Sequence, residues 1–166
     1  VDLFVGAGAS LKPDGTVDAS NATGLSINGG SLGVAMISAN ATMIVGDNRS
    51  YVATTARLAH ASFAGLPSGL AINAANISVQ LNRASGTVPG SIPAQAPGAL
   101  DWSRALDLDR NGTFGDGVSV GGSQIVLAGA TTAASGMLGL QAFDVLRVFA
   151  SFQMSIRAVD VDLNGD

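Results

Sequence analysis

The chain of 166 residues contains no cysteine and no glutamate, and only one lysine (Lys12), one histidine (His60), one tryptophan (Trp102) and one tyrosine (Tyr51). Each shortage removes a class of chemistry. Without cysteine there is neither a disulfide nor a thiolate metal site. With a single histidine, a two-histidine metal or acid–base site is impossible within one chain. Catalysis at His60 would need a nucleophile and an orienting acid, and no nucleophile-elbow sequence is present. The expectation is a protein that is not an enzyme, with His60 half-buried in a strand. All twelve acidic residues are aspartate and seven of the eight basic ones are arginine. Glu and Lys are good helix formers and Asp is not, so their near absence argues for strands and loops. A net charge of −4 with no basic stripe excludes nucleic acid as an expected partner. No apolar run is long enough to cross a bilayer as a helix.

What is abundant points the same way. With 47% hydrophobic residues, 12% charged and 22 glycines, the chain suffices for one domain over 1–166 with a sizeable core. Period-two alternation predicts strands over 1–11, 23–28, 31–38, 41–45, 51–63, 71–81, 118–120 and 124–130. Turns are expected at Pro13-Asp14-Gly15, at Gly29-Gly30, over 46–50 and over 65–69. Within 51–63, one fixed phase puts Tyr51, Ala53, Thr55, Arg57, Ala59, Ala61 and Phe63 on one face. Residues 83–98 carry Pro89, Pro93 and Pro97 among small residues, a long loop or surface flap. Trp102, just beyond, is expected to pin that loop to the core, given the apolar area an indole buries. Residues 131–136 read as a linker. The strongest apolar signal lies over 137–163, where period two prevails over a helical reading of 143–149, and Phe149, Phe152, Met154 and Ile156 are expected in the core. The fold expected is all-β, an antiparallel β-sandwich or elongated stacked sheets. A β-solenoid is the alternative, disfavoured because no fixed short period is present.

The most specific chemistry lies in loop 105–118, Ala-Leu-Asp-Leu-Asp-Arg-Asn-Gly-Thr-Phe-Gly-Asp-Gly-Val. Asp107 and Asp109 at positions 1 and 3, Asn111 at 5 and Gly112 at 6 reproduce the front half of a calcium loop, in which alternate side chains converge on a hard cation and glycine permits the sharp turn. Thr113 and Asp116 are the remaining candidate ligands. Position 12 is Val118 rather than a bidentate glutamate, and the flanks alternate as strands do, so the reading is a Ca2+ loop between strands. The front half recurs as Asp160, Asp162 and Asn164, with Asp166 following, so that Asp107 and Asp160 stand 53 positions apart. This second copy needs ligands from elsewhere to close a shell. The competing account of both loops is a solvated Asp/Asn/Gly turn. The start at Val1 and the end inside the second motif lead to the expectation of a piece of a longer protein.

The Ala/Gly-rich β chain, with Ser78-Val-Gln-Leu-Asn-Arg-Ala-Ser-Gly86, Ala99-Leu-Asp-Trp102 leading into Leu106-Asp-Leu-Asp-Arg-Asn-Gly112, and Val161-Asp-Leu-Asn-Gly-Asp166, resembles extended repeat modules of very large secreted or surface bacterial proteins of the calcium-dependent adhesin kind. It is not of the RTX nonapeptide type, since Gly121-Gly122 is followed by Ser-Gln-Ile. The resemblance implies a secreted or cell-surface, calcium-binding structural or adhesive module. Its partners would be neighbouring copies of itself or adjacent repeats, in head-to-tail arrays or filaments, with a surface or glycan ligand as a further partner. A second reading, drawn from the apolar patterning of 31–38 and 143–156, is a binding module with an apolar groove for lipid or another hydrophobic ligand. A third, a polysaccharide-active enzyme, rests on Trp102 beside Asp101 and on scattered aspartates.

Overall fold

The computed structural model describes residues 3–156. Asp160, Asp162, Asn164 and Asp166 therefore lie outside the described residues. Among the described residues there is no helix, and so none that is long and apolar enough to cross a membrane. Ten strands follow one another: β1 (Leu3–Ala7), β2 (Ser10–Leu11), β3 (Val17–Asp18), β4 (Thr23–Ser38), β5 (Ser50–Ala64), β6 (Leu70–Ser85), β7 (Val118–Val120), β8 (Ser123–Ile125), β9 (Thr131–Ala142) and β10 (Leu146–Ile156). Six of them form one antiparallel sheet in the order β1-β4-β5-β6-β9-β10, which is not closed into a barrel. Two excursions leave this meander and carry the two-stranded sheets β2–β3 and β7–β8. The all-β, antiparallel expectation holds.

Several elements differ from the sequence reading. Gly29-Gly30 is not a turn but lies inside the 16-residue strand β4. Residues 41–45 are not a strand. They belong to the β4–β5 connection, where the Asn40 side chain accepts from the Thr42 amide at 3.0 Å and the Thr42 hydroxyl at 2.6 Å and so closes a local turn instead. The supposed linker 131–136 opens β9, which takes its place between β6 and β10; pairing on both sides overrides the weak apolar signal of Thr, Ala and Ser. Of the strand expected over 124–130 only Gln124 and Ile125 pair, within the short β8 (Ser123–Ile125). The strand expected over 1–11 is broken after Ala7, where Gly8 takes φ 82°.

A phase slip across the sheet decides which side chains share a face. The β6–β9 register shifts between Ala75 and Ser78, at Asn76, which adopts φ 52°, while β9 and β10 run without interruption. A bulge of this kind reverses the alternation beyond it. On one face β6 therefore presents Leu70, Ile72 and Ala74, then Ile77, Val79 and Leu81. Cross-strand partners carry the slip into β5, where Val52, Thr54, Ala56 and Leu58 share that face with Ala61 and Phe63. In β4 the members are Leu25 and Ile27, then Leu32, Val34 and Met36, with Gly29 at φ 69° between them. His60 consequently lies on the opposite face and is exposed, which corrects its half-buried placement. In β10 the same face is Leu146, Val148, Ala150, Phe152, Met154 and Ile156.

One face of the sheet is thus almost wholly apolar and the other is built mainly of small and polar residues, with Ile37, Tyr51, Met137 and Phe149 among them. The polar face is the covered one. The excursion over 86–130 folds back on it, and Trp102, Ile125 and Leu127 bury Ala53 with Ala35, Ile37 and Tyr51 packed around them. The apolar face has no covering strand among the described residues: contacts between strands join sheet neighbours or tie β7 and β8 to β4 and β5, on the Gly33, Thr55 and Ala53 side. The expected core positions Phe152, Met154 and Ile156 are consequently exposed, as is Phe149 on the polar face at 85%. The reason is positional, because β10 is an edge strand with every residue exposed. The sizeable core expected from composition reduces, among the described residues, to Ala22, Ala53, Ala61, Trp102, Ile125 and Leu127.

Two buried or half-buried carboxylates hold the connections. Asp47, 6% exposed, accepts from Arg49 at 2.9 Å (Nε to Oδ1) and 2.6 Å (Nη2 to Oδ2). Asp101 accepts from the Ser103 hydroxyl at 2.6 Å and amide at 3.0 Å, in the turn that delivers Trp102. The Arg49 hydrogen bonds lower the Asp47 pKa and the Ser103 hydroxyl lowers that of Asp101. Groups with depressed folded-state values stabilise the fold fully above the unfolded value of about 3.9, and that contribution is lost as pH falls through the folded value. The melting temperature in EDTA is therefore expected to be level above about pH 5 and to drop below about pH 4. A Tm that stays flat down to about pH 2 would contradict these assignments.

Candidate metal centre

The Asp loop belongs to the excursion that covers the polar face of the sheet. Its base is closed where the Leu106 carbonyl accepts from the amides of Gly115 (2.7 Å) and Asp116 (2.9 Å), and Leu106 packs against the Trp102 cluster. Within this frame Asp116 Oδ2 accepts from the amides of Leu108 (2.6 Å) and Asp109 (3.2 Å). Asp107 accepts from the amides of Asn111 at 3.0 Å and Gly112 at 2.9 Å. Asp109 accepts from the Asn111 amide at 3.1 Å and from its side-chain Nδ2 at 2.8 Å. The tight path needs left-handed backbone at Arg110 (φ 59°) and Gly112 (φ 85°), and it is the glycine position of the calcium pattern that supplies it most cheaply.

Three of the predicted ligands converge. Asp107, Asp109 and Asp116 each offer a carboxylate oxygen, all within 4.8 Å of one another. Oxygens about 2.4 Å from a common Ca2+ lie at most about 4.8 Å apart, so the separation suits one hard cation. Asn111 is held inside the loop, donating to Asp109 and accepting from the Thr113 amide at 2.7 Å through Oδ1. Thr113 enters through that backbone amide. Among the described residues no lysine or arginine forms an ion pair with this cluster, the ion pairs there being Arg49–Asp47 and Arg147–Asp144. Like charges brought this close repel, and a divalent ion converts that repulsion into attraction.

Two features went unread in the sequence. One is Asn82, fully buried at the junction of sheet and cover; an asparagine in an alternating strand gives no sign that its amide spans two segments. The other is the extent of the open apolar face, of which the patterning over 31–38 and 143–156 showed only two strips. Its signal was present in the run Leu-x-Val-x-Ala-x-Phe-x-Met-x-Ile from Leu146 to Ile156, but the phase slips in β4, β5 and β6 hid the matching residues. No family model matches the chain, and neither a curated protein nor a solved structure is significantly similar to it.

Proposed function

We propose that this chain is a calcium-binding structural module of a secreted or cell-surface protein, in which the 105–118 loop is the metal site and its ion stiffens the junction between sheet and cover. What carries the reading is the convergence of Asp107, Asp109 and Asp116, with which no cationic side chain among the described residues forms an ion pair. The loop base shares Leu106 with the Trp102 cluster, so ordering the loop also holds the cover on the sheet. In an array, the Asp160 motif would act in the same way at the joint to a neighbouring copy or repeat.

An ion that binds only the folded state stabilises it by about 2.7 kcal/mol when its free concentration is about 100-fold above Kd. Thermal unfolding in EDTA and in excess Ca2+ measures this directly. The expected result is a Tm several degrees higher with Ca2+, and loss of most of that difference in Asp107→Asn plus Asp109→Asn. Equal melting temperatures with and without Ca2+ would reduce the loop to a hydrogen-bonded turn.

A further inference from the structure

The apolar face leaves the molecule with more surface than a compact monomer of its size. It exposes 11182 Å², where a folded monomer of 16.4 kDa exposes about 7,500 Å². Even if the residues outside 3–156 are counted as fully solvated, at about 1,700 Å², an excess of about 2,000 Å² remains against the compact expectation. A stable interface takes about 800 Å² from each partner. The sheet provides it: six strands about 4.8 Å apart and up to about 50 Å long make a face of roughly 1,200 Å². Leu32, Met36, Leu138 and Met154 stand on it at 56%, 69%, 47% and 51% exposure.

We propose that two copies of this chain pack face to face through the apolar side of the sheet, forming between them the two-layer sandwich that one copy does not complete. Sheets that pack this way interdigitate apolar side chains about 10 Å apart. The long excursion over 86–130 is accounted for elsewhere, since β7–β8 and the Trp102 cluster lie on the polar face. Charge favours an identical partner. Among the described residues the one charged side chain on the face is Arg83, in the row it shares with Val52 and Met36 near one end. A two-fold axis through the middle sends the two arginines to opposite rims and brings apolar rows together. A lipid surface suits the face less well, because the outer edge of β10, which among the described residues pairs with β9 alone, would lose water without gaining hydrogen-bond partners. This inference is independent of the calcium reading.

The experiment is sedimentation equilibrium of the full chain from about 1 to 100 µM, with and without Ca2+. The expected species has twice the mass of the chain. Val79→Asp, in the middle of the face, is expected to weaken association at least about 100-fold, with the near-UV circular dichroism of Trp102 on the other face retained. A conservative variant covers the case in which Val79→Asp fails to fold. The chain has no cysteine, so Ala134→Cys accepts a single nitroxide; its spectrum should be immobilised, while a label at Gln153→Cys on the polar face stays mobile. A monomer at about 100 µM overturns the proposal. So does a dimer in which the Ala134 label moves freely, or one dispersed by Ser151→Pro in the β10 edge but not by Val79→Asp. Monomers that sediment with phosphatidylcholine vesicles would assign the face to lipid and also overturn it.

Discussion

Replacing Asn82 with alanine is expected to lower the unfolding free energy by about 3 kcal/mol, measured by urea unfolding followed in the far-UV. Asn82 has no exposed surface and its amide serves two segments at once. Its Oδ1 accepts from the Trp102 indole at 2.9 Å, and its Nδ2 donates to the carbonyls of Leu100 and Gly129, each at 2.8 Å. An indole N–H only donates, so the amide has one orientation that satisfies all three partners. Truncation strands a donor and two acceptors in a site closed to water, which costs far more than a hydrogen bond between solvated groups. Asn82→Asp should be no milder, because it retains the acceptor for Trp102 but places an anion against two carbonyls. A loss below about 1 kcal/mol for Asn82→Ala would mean that water reaches the junction.

Removing the partner is expected to cost more. Trp102→Ala should destabilise by about 4 kcal/mol, the range for deleting a fully buried large aromatic. Trp102 is 0% exposed and packs in the cluster that joins Ala53 of the sheet to Ile125 and Leu127 of the cover. Its backbone amide also donates to the Leu127 carbonyl at 3.0 Å. Trp102→Phe retains most of the packing but leaves Asn82 Oδ1 without its donor, so about 2 kcal/mol is expected. Because the two side chains share a hydrogen bond, the double variant should be milder than the sum of the singles by about 1 kcal/mol or more. Strict additivity would show that the indole contributes through packing alone. The loss should also reach the Asp loop, whose base residue Leu106 lies against this cluster: on the proposed calcium reading, the rise in Tm with Ca2+ is expected to shrink in Trp102→Ala while remaining in Trp102→Phe.

The fold class was readable from composition, since the absence of glutamate and the scarcity of lysine leave few good helix formers and the alternating runs are long. Trp102 was readable for the same kind of reason. One large indole beside a Pro/Gly-rich loop has few places to put its area except against the sheet, and that is where it lies. The convergence of the Asp loop was legible residue by residue because its logic is local. Asp107, Asp109 and Asp116 fall within ten positions, and backbone turns at Arg110 and Gly112 bring them together without help from distant strands.

Faces and edges were another matter. A period of two tells which residues alternate, but a single left-handed residue such as Asn76 reverses the alternation for everything after it, and its neighbours in β5 and β4 must follow to keep their register. The sequence alone therefore determined the all-β class, the local geometry of the Asp loop and the role of Trp102, all of which depend on residue type and short spacing. Only the tertiary structure decided that 131–136 is a central strand, that Asn82 ties sheet to cover, and that the residues of β10 stand at an edge. Those outcomes depend on which segments pair across long separations, and burial is a property of the partner strand as much as of the residue itself.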